Sequence, residues 1–315
     1  MKQFLIKISE LLTAVKKWGG ALKYLSYELG KERLELLTAV RQDGWNLEYA
    51  SKKLQNDREV VMEAVKKTGW ALRFASEELR ADREIVLTAV MQDGGALEFA
   101  SQELRADREI VLTAVKKDGI ALRYASEELR ADREVVLEAV RNYGYGYALQ
   151  FTSKELRADR EVVLIAVKAH RCALCHASQE LRADKEVVLE AVKHFGEALK
   201  YASEDMSADK EVVLVAVKHD GRALEWASKL QEDREVVMLA VKENGEALEH
   251  ASYEFRADRE VVLAAVMQDG TALQFATYEL RADKEVVLVA VKQSRYALEY
   301  ASKELQVTHK PYKPF

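Results

Sequence analysis

Apolar and polar positions recur along this chain with a period of 25 residues, in twelve copies that run almost from end to end. Leu79-Arg80-Ala81-Asp82-Arg83-Glu84-Ile85-Val86-Leu87 returns as Leu104-Arg105-Ala106-Asp107-Arg108-Glu109-Ile110-Val111-Leu112, and onward to Leu280-Arg281-Ala282-Asp283-Lys284-Glu285-Val286-Val287-Leu288. A fixed period in the range of about 20–50 residues is the mark of a solenoid or array. The anchor acids are Asp57, Asp82, Asp107, Asp132, Asp159, Asp184, Asp209, Asp233, Asp258 and Asp283. Glu32 holds that place one unit earlier, and Lys7 does so in a degenerate first unit. Two residues are added between Asp132 and Asp159, and one is missing between Asp209 and Asp233.

Each unit predicts two short helices. The first runs from Asp82 to Met91. Asp ahead of an apolar-periodic run is a good N-cap, because its carboxylate accepts from free backbone N–H groups and its charge suits the helix dipole. Val86, Ala89 and Val90 fall at i, i+3 and i+4 and form one apolar face. Gly then ends the helix, at Gly19, Gly44, Gly69, Gly94, Gly119, Gly144, Gly196, Gly221, Gly245 and Gly270. This fits a left-handed residue just past the helix end. Arg171 and Arg295 break that pattern. The second helix is Ala96 to Leu104, with Ala96, Ala100 and Leu104 at i, i+4, i+8. Strand signals are absent, and the two prolines, Pro311 and Pro314, both lie at the end. A hairpin this short cannot bury its own apolar face, so neighbours must stack. The expected fold is an all-α solenoid of about twelve helical-hairpin repeats wound into a superhelix. It forms one domain over 1–306 with a capping unit at 1–30 and a tail at 307–315.

Composition adds exclusions. Lys and Arg number 48 against 53 Asp and Glu, a formal charge of −5, which disfavours nucleic acid as a non-specific partner. Two cysteines rule out a disulfide framework. The start is broken by Lys7 and Glu10 and reads as an amphipathic cap rather than a signal peptide. No apolar run is long enough to span a bilayer, so a cytoplasmic or otherwise intracellular protein is expected.

The stretch Ala121-Leu122-Arg123-Tyr124-Ala125-Ser126-Glu127-Glu128-Leu129-Arg130-Ala131-Asp132-Arg133-Glu134-Val135-Val136-Leu137 resembles the repeat family catalogued as domain of unknown function 4116. The resemblance covers roughly residues 20–305. It implies helical repeats and no particular activity, catalytic residue or cofactor.

Several constellations carry chemistry. Cys172-Ala173-Leu174-Cys175-His176 matches the C-x-x-C-H pattern of haem attachment and offers zinc or redox alternatives. His176, however, stands in a column of rings (Tyr24, Tyr49, Phe74, Phe99, Tyr124, Phe151, Tyr201, Trp226, His250, Phe275, Tyr300), and no cofactor or metal is expected. The ring column reads as packing between units, although a stacking ladder for bases has the same appearance. Glu59, Glu63 and Lys66 suggest intrahelical ion pairs on a solvated face. The arginines of Leu-Arg-Ala-Asp (Arg80, Arg105, Arg130, Arg157, Arg182, Arg256, Arg281) suggest partners for carboxylates such as Glu78 and Glu84.

What varies while the frame stays fixed is more informative. Three positions of the second helix, at i, i+3 and i+7, change freely: Trp45, Glu48, Lys52; Trp70, Arg73, Glu77; Ile120, Arg123, Glu127; Arg222, Glu225, Lys229; and Tyr296, Glu299, Lys303. Such a ribbon is a candidate surface for a peptide or protein, with the aromatic groups as anchors. The inserted Asn142-Tyr143-Gly144-Tyr145-Gly146-Tyr147 adds Tyr143, Tyr145 and Tyr147 to the candidates. Six residues after the anchor, Thr13, Thr38, Glu63, Thr88, Thr113 and Glu138 give way to Ile165, Glu190, Val215, Leu239, Ala264 and Val289. The apolar members, Ile165, Val215, Leu239 and Val289 among them, suggest a self-association patch or helices tilted to bury them. No nucleophile–base pair, phosphate loop or paired acids stand out, so an enzyme is not expected. The expected function is a non-enzymatic protein-interaction scaffold. The alternatives are a structural or self-assembling spacer and a modular single-stranded nucleic-acid reader.

Overall fold

The computed structural model describes residues 33–141, 146–227 and 229–308. The expected capping unit at 1–30, Tyr143, Gly144 and Tyr145 lie outside the described residues, as does the stretch 309–315. The chain packs as two compact units, Met1–Arg157 and Ala158–Phe315. Among the described residues all regular structure is helical, in repeats stacked as a solenoid within each unit. No helix among them is long and apolar enough to cross a membrane.

Each repeat has three parts. The first is the predicted long helix, for example Arg58–Lys67 and Arg83–Gln92 in the first unit, and Lys210–His219 and Arg259–Gln268 in the second. The anchor acids do cap it: Asp57 Oδ1 accepts from the backbone N–H groups of Glu59 and Val60, both at 3.1 Å. Ile85, Val86, Ala89 and Val90 are fully buried, and the other long helices repeat that face.

The second predicted helix is split. Gly94–Phe99 is a 3₁₀ helix, Ala100 is extended at φ −66°, ψ 154°, and the chain then makes one more helical turn. Elsewhere that turn is a four-residue α-helix such as Glu77–Arg80 or Tyr278–Arg281. Serine explains the break. The hydroxyls of Ser76, Ser126 and Ser203 accept from the N–H groups of Leu79, Leu129 and Met206, as N-caps of the short helices. Their own backbone N–H groups point to the preceding repeat: Ser76 donates to Gln55 O, Ser101 to Arg80 O, Ser203 to Arg182 O and Ser302 to Arg281 O, at 2.8–2.9 Å. A serine inside a continuous helix would donate within its own helix instead. The 3₁₀ part buries its leucine (Leu47, Leu72, Leu97 and Leu122 in the first unit; Leu224, Leu248 and Leu273 in the second) at 0% exposure. Burial on this scale stabilises by about 1.5–3 kcal/mol per leucine.

Glycine at the junction has a different cause from the expected left-handed turn. A Cβ on Gly44, Gly69, Gly94 or Gly119 would overlap the carbonyl oxygen of Ala64, Ala89, Ala114 or Ala139, at the end of the next long helix. Gly196, Gly221, Gly245 and Gly270 meet Ala216, Ala240, Ala265 and Ala290 in the same way. The close approach of two backbones, not a positive φ, selects glycine here. The helix stops one residue earlier, where the backbone turns extended (Asp43 at φ −147°, ψ 115°). Asp43, Asp93, Asp118, Asp220, Asn244 and Asp269 there accept from the N–H two residues on, capping the 3₁₀ helix. After the two-residue insertion this helix is Gly146–Phe151.

Candidate functional site

In each unit the surface formed by the 3₁₀ helices and the short turns carries the variable positions, and its three columns differ. The second column is exposed at Glu48, Arg73, Glu98 and Arg123 in the first unit and at Lys200, Glu225, Glu249 and Glu299 in the second. The third column is exposed from Lys52 and Glu77 to Lys229, Tyr253, Tyr278 and Lys303. The first column leans on the next repeat. Trp70 and Ile120 are half-buried, Trp45 is 39% exposed, and Tyr147 and Tyr296 are 43% and 57% exposed. The break at Ala–Ser therefore separates the third column from the helix carrying the first two, which lie almost eclipsed at i and i+3 of a 3₁₀ helix.

Several predicted contact residues are engaged within the chain. Trp45 meets Phe74 edge-on at 5.8 Å, and Trp70 meets Phe99 at 5.4 Å. The Arg73 guanidinium lies over both Phe74 and Phe99, and Arg123 lies over both Tyr124 and Phe151, at 5.1–5.7 Å. Arg222 is ion-paired with Glu246. The half-buried ring column thus joins consecutive repeats, with the variable residues as its clasps. By contrast, the side chains of Tyr253 and Tyr278, 72% and 65% exposed, have no hydrogen-bond or ring partner among the described residues. Neither tyrosine was singled out by the ribbon pattern. The available signal was an aromatic residue where Lys52 and Glu77 stand in other repeats.

The first turns of the long helices carry an ionic ladder, built by the residue after each anchor acid rather than by the Leu-Arg-Ala-Asp arginines. Arg58 bonds Asp82 (3.0 Å) and Glu84 of the next repeat. Lys210 bonds Asp233 and Glu235, both at 2.8 Å. Arg33, Arg83, Arg108, Arg160, Lys185, Arg234 and Arg259 do likewise. The Arg33 guanidinium holds the Asp57 carboxyl below its ordinary range, and Lys185 and Lys210 do the same for Asp209 and Asp233. The expected intrahelical pairing is present for Lys66 and Glu63 at 3.2 Å, but Glu59 and Glu63 also reach back to Arg33 and Arg41 of the preceding repeat. Among the Leu-Arg-Ala-Asp arginines, Arg80 and Arg130 reach carboxylates of their own short helices, Glu77 at 3.9 Å and Glu127 at 3.6 Å, rather than Glu78 or Glu84. Arg256 Nε donates to Phe275 O at 2.7 Å, and the buried Nε atoms of Arg80, Arg105, Arg130, Arg182 and Arg281 have no such bond.

Position six after the anchor lies in the seam between consecutive long helices. Glu63 bonds Arg41 across it at 2.7 Å, and Glu190 bonds Lys168 at 3.5 Å. Ile165, Val215, Leu239, Ala264 and Val289 are half-buried at the same position.

At Cys172 and Cys175 no metal-binding cluster of His, Cys, Asp or Glu forms among the described residues. His170 takes the place of the capping aspartate, its Nδ1 accepting from the Cys172 N–H at 3.1 Å. Cys172 Sγ lies 3.8 Å from the Tyr201 hydroxyl, and that contact, with burial, pushes the phenol up to about 12. Burial pushes the Cys175 thiol up, so it is held as the thiol rather than as the thiolate a metal or oxidant would meet.

The profile of a family described as Domain of unknown function (DUF4116) matches the chain in eight stretches, most of them overlapping a neighbour: 35–80, 82–130, 107–145, 132–182, 184–231, 209–256, 233–281 and 258–306. The chain belongs to this family, and its repeats are those of the family. A comparison with the curated proteins found no match.

Proposed function

We propose that this chain is a non-enzymatic protein-interaction scaffold, in which the repeated frame holds a variable surface that binds an extended peptide or protein segment. One observation carries the proposal. Among the described residues the exposed aromatic side chains are Trp45, Tyr147, Tyr253, Tyr278 and Tyr296, and each stands at a variable position of the 3₁₀ and short-turn surface. Exposed aromatic groups are favoured anchors of interfaces, and Tyr253 and Tyr278 among these have no hydrogen-bond or ring partner among the described residues. Exposed carboxylates at Glu48, Glu98, Glu225, Glu249 and Glu299 favour a protein over a phosphate backbone.

The test is a nuclease-treated pull-down with the full chain, followed by cross-linking mass spectrometry on a saturable partner. Links at Lys52, Lys229 or Lys303, all on the variable surface, are expected. Links confined to Lys66 and Lys242, on the long helices, would overturn the assignment of the surface. A second possibility, self-association through Ile165, Val215, Leu239 and Val289, rests on those side chains being only half-buried. It predicts dimers that dissociate when the column is made polar.

A further inference from the structure

Tyr253 and Tyr278 open the short helices Tyr253–Arg256 and Tyr278–Arg281 in consecutive repeats of the second unit. They present two rings to solvent in register. What surrounds them selects the chemistry of an occupant. Glu225, Glu249, Glu254 and Glu299 are exposed on the same surface, and none has an ion-pair partner among the described residues. This is unlike the long-helix edge of the same unit, where Glu211, Glu235, Glu260 and Glu285 are each held by a Lys or Arg of the preceding repeat. Most cations near the rings are already engaged: Arg222 with Glu246, Lys229 with Glu204, Arg256 with the Phe275 carbonyl, and Arg295 over the Tyr296 ring. Lys303, at the end of the row, and Arg281, whose Nε is buried rather than presented to solvent, are the exceptions.

We propose that Tyr253 and Tyr278, rimmed by Glu249, Glu254 and Glu299, dock an extended Lys/Arg-rich segment of a partner protein. Each ring takes one cationic side chain on its face, and the unpaired carboxylates take the charge. A ring face attracts a cation through its quadrupole, and Arg adds planar stacking. A phosphate backbone is disfavoured by the same carboxylates. Consecutive repeats lie about 8–10 Å apart, and an extended polyproline-II chain rises about 3.1 Å per residue. The two cations therefore fall about three residues apart in the partner.

The proposal rests on the scaffold function above, and the test separates the two. The immobilised full chain is presented with a phage-displayed random-peptide library, and retained peptides are synthesised with a fluorophore for anisotropy titrations. Expected are peptides enriched in Lys and Arg at about three-residue spacing. They bind the Y253A/Y278A variant at least about tenfold more weakly, with its circular dichroism unchanged. An E249Q/E254Q variant should also bind more weakly and with less salt dependence. Retained peptides that are neutral or acidic, or basic peptides that bind Y253A/Y278A as well as the parent, would overturn the basic-segment proposal and leave the scaffold standing. Retention no better than on blank support would overturn both.

Discussion

The two units share one frame and fill it differently. In the first, Trp45 and Trp70 turn their rings against Phe74 and Phe99, and Arg73 and Arg123 are sandwiched over paired rings. In the second, Tyr253 and Tyr278 project from the short turns with no ring beside them. The seams differ as well. Thr88 and Thr113 bond back to Glu84 O and Glu109 O at 2.8 Å in the first unit, whereas Val215, Leu239 and Val289 stand there in the second. Variation at a repeat position is thus not one kind of signal. The first and second columns strengthen the joint between repeats at Trp45, Trp70, Arg73 and Arg123, whereas the third leaves Tyr253 and Tyr278 for something outside. The partner on the next repeat decides which.

The shared frame should respond most strongly to change at the junction glycines. Gly94→Ala forces a Cβ onto the Ala114 carbonyl oxygen, so a loss of about 3 kcal/mol or more is expected in urea unfolding. Gly94→Asn discriminates further. Asparagine tolerates a left-handed turn, so retained stability would restore that explanation, and comparable loss supports the close approach. Gly95→Ala should cost less, because its Cβ meets the Trp70 side chain at 2.8 Å and a side chain can move.

Trp70→Ala should destabilise by about 2 kcal/mol, roughly half the cost of emptying a fully buried aromatic site. Tyr253→Ala in the other unit should stay within about 0.5 kcal/mol. Equal losses by thermal unfolding would erase the contrast between clasp and projecting ring. Leu239→Ala, in the apolar seam, should cost about 1–2 kcal/mol with no change in sedimentation. A change in sedimentation without loss of stability would instead mark that column as a contact between copies.

Acid should act on both units alike and more gently. Asp57, Asp209 and Asp233 have folded-state pKa values below their ordinary ones, because Arg33, Lys185 and Lys210 bond their ionised forms. A carboxyl depressed by folding contributes stability that is full above its unfolded value of about 3.9 and is lost as pH falls through the folded value. The cationic partners Arg33, Lys185 and Lys210 are 43–45% exposed, so salt screens the effect and it stays modest. Melting temperatures should hold down to about pH 5 and fall below it. The fall should be smaller in an Asp57→Asn variant, which has already lost that term.

Much of this was legible from residue order alone. The anchor acids announced their helices, and Asp57 and Asp82 cap as their position requires. The spacing of Ile85, Val86, Ala89 and Val90 identified the buried face. The ribbon pattern located the variable surface but could not rank its residues, since Trp70 and Tyr296 look equivalent in a list and differ only in what lies beside them. The Ala–Ser step was misread as helix interior, although serine followed by Glu-Leu is also the start of a capped turn. Ser101 and Ser126 further hold the Glu103 and Glu128 carboxyls, each already bonded by its own backbone N–H, below their ordinary range.

The sequence by itself determined the period, the long helices, their caps and their buried face. These depend on interactions within a few residues, where helix periodicity and side-chain-to-backbone reach decide the outcome. Only the tertiary structure decided why glycine stands at the junction, which cations hold which carboxylates and where the second helix breaks. Each of those depends on a group roughly one repeat away: the Ala114 carbonyl for Gly94, Asp82 and Glu84 for Arg58, the Arg80 carbonyl for Ser101. Sequence spacing repeats those groups faithfully, but their distance from one another exists only once the repeats are stacked.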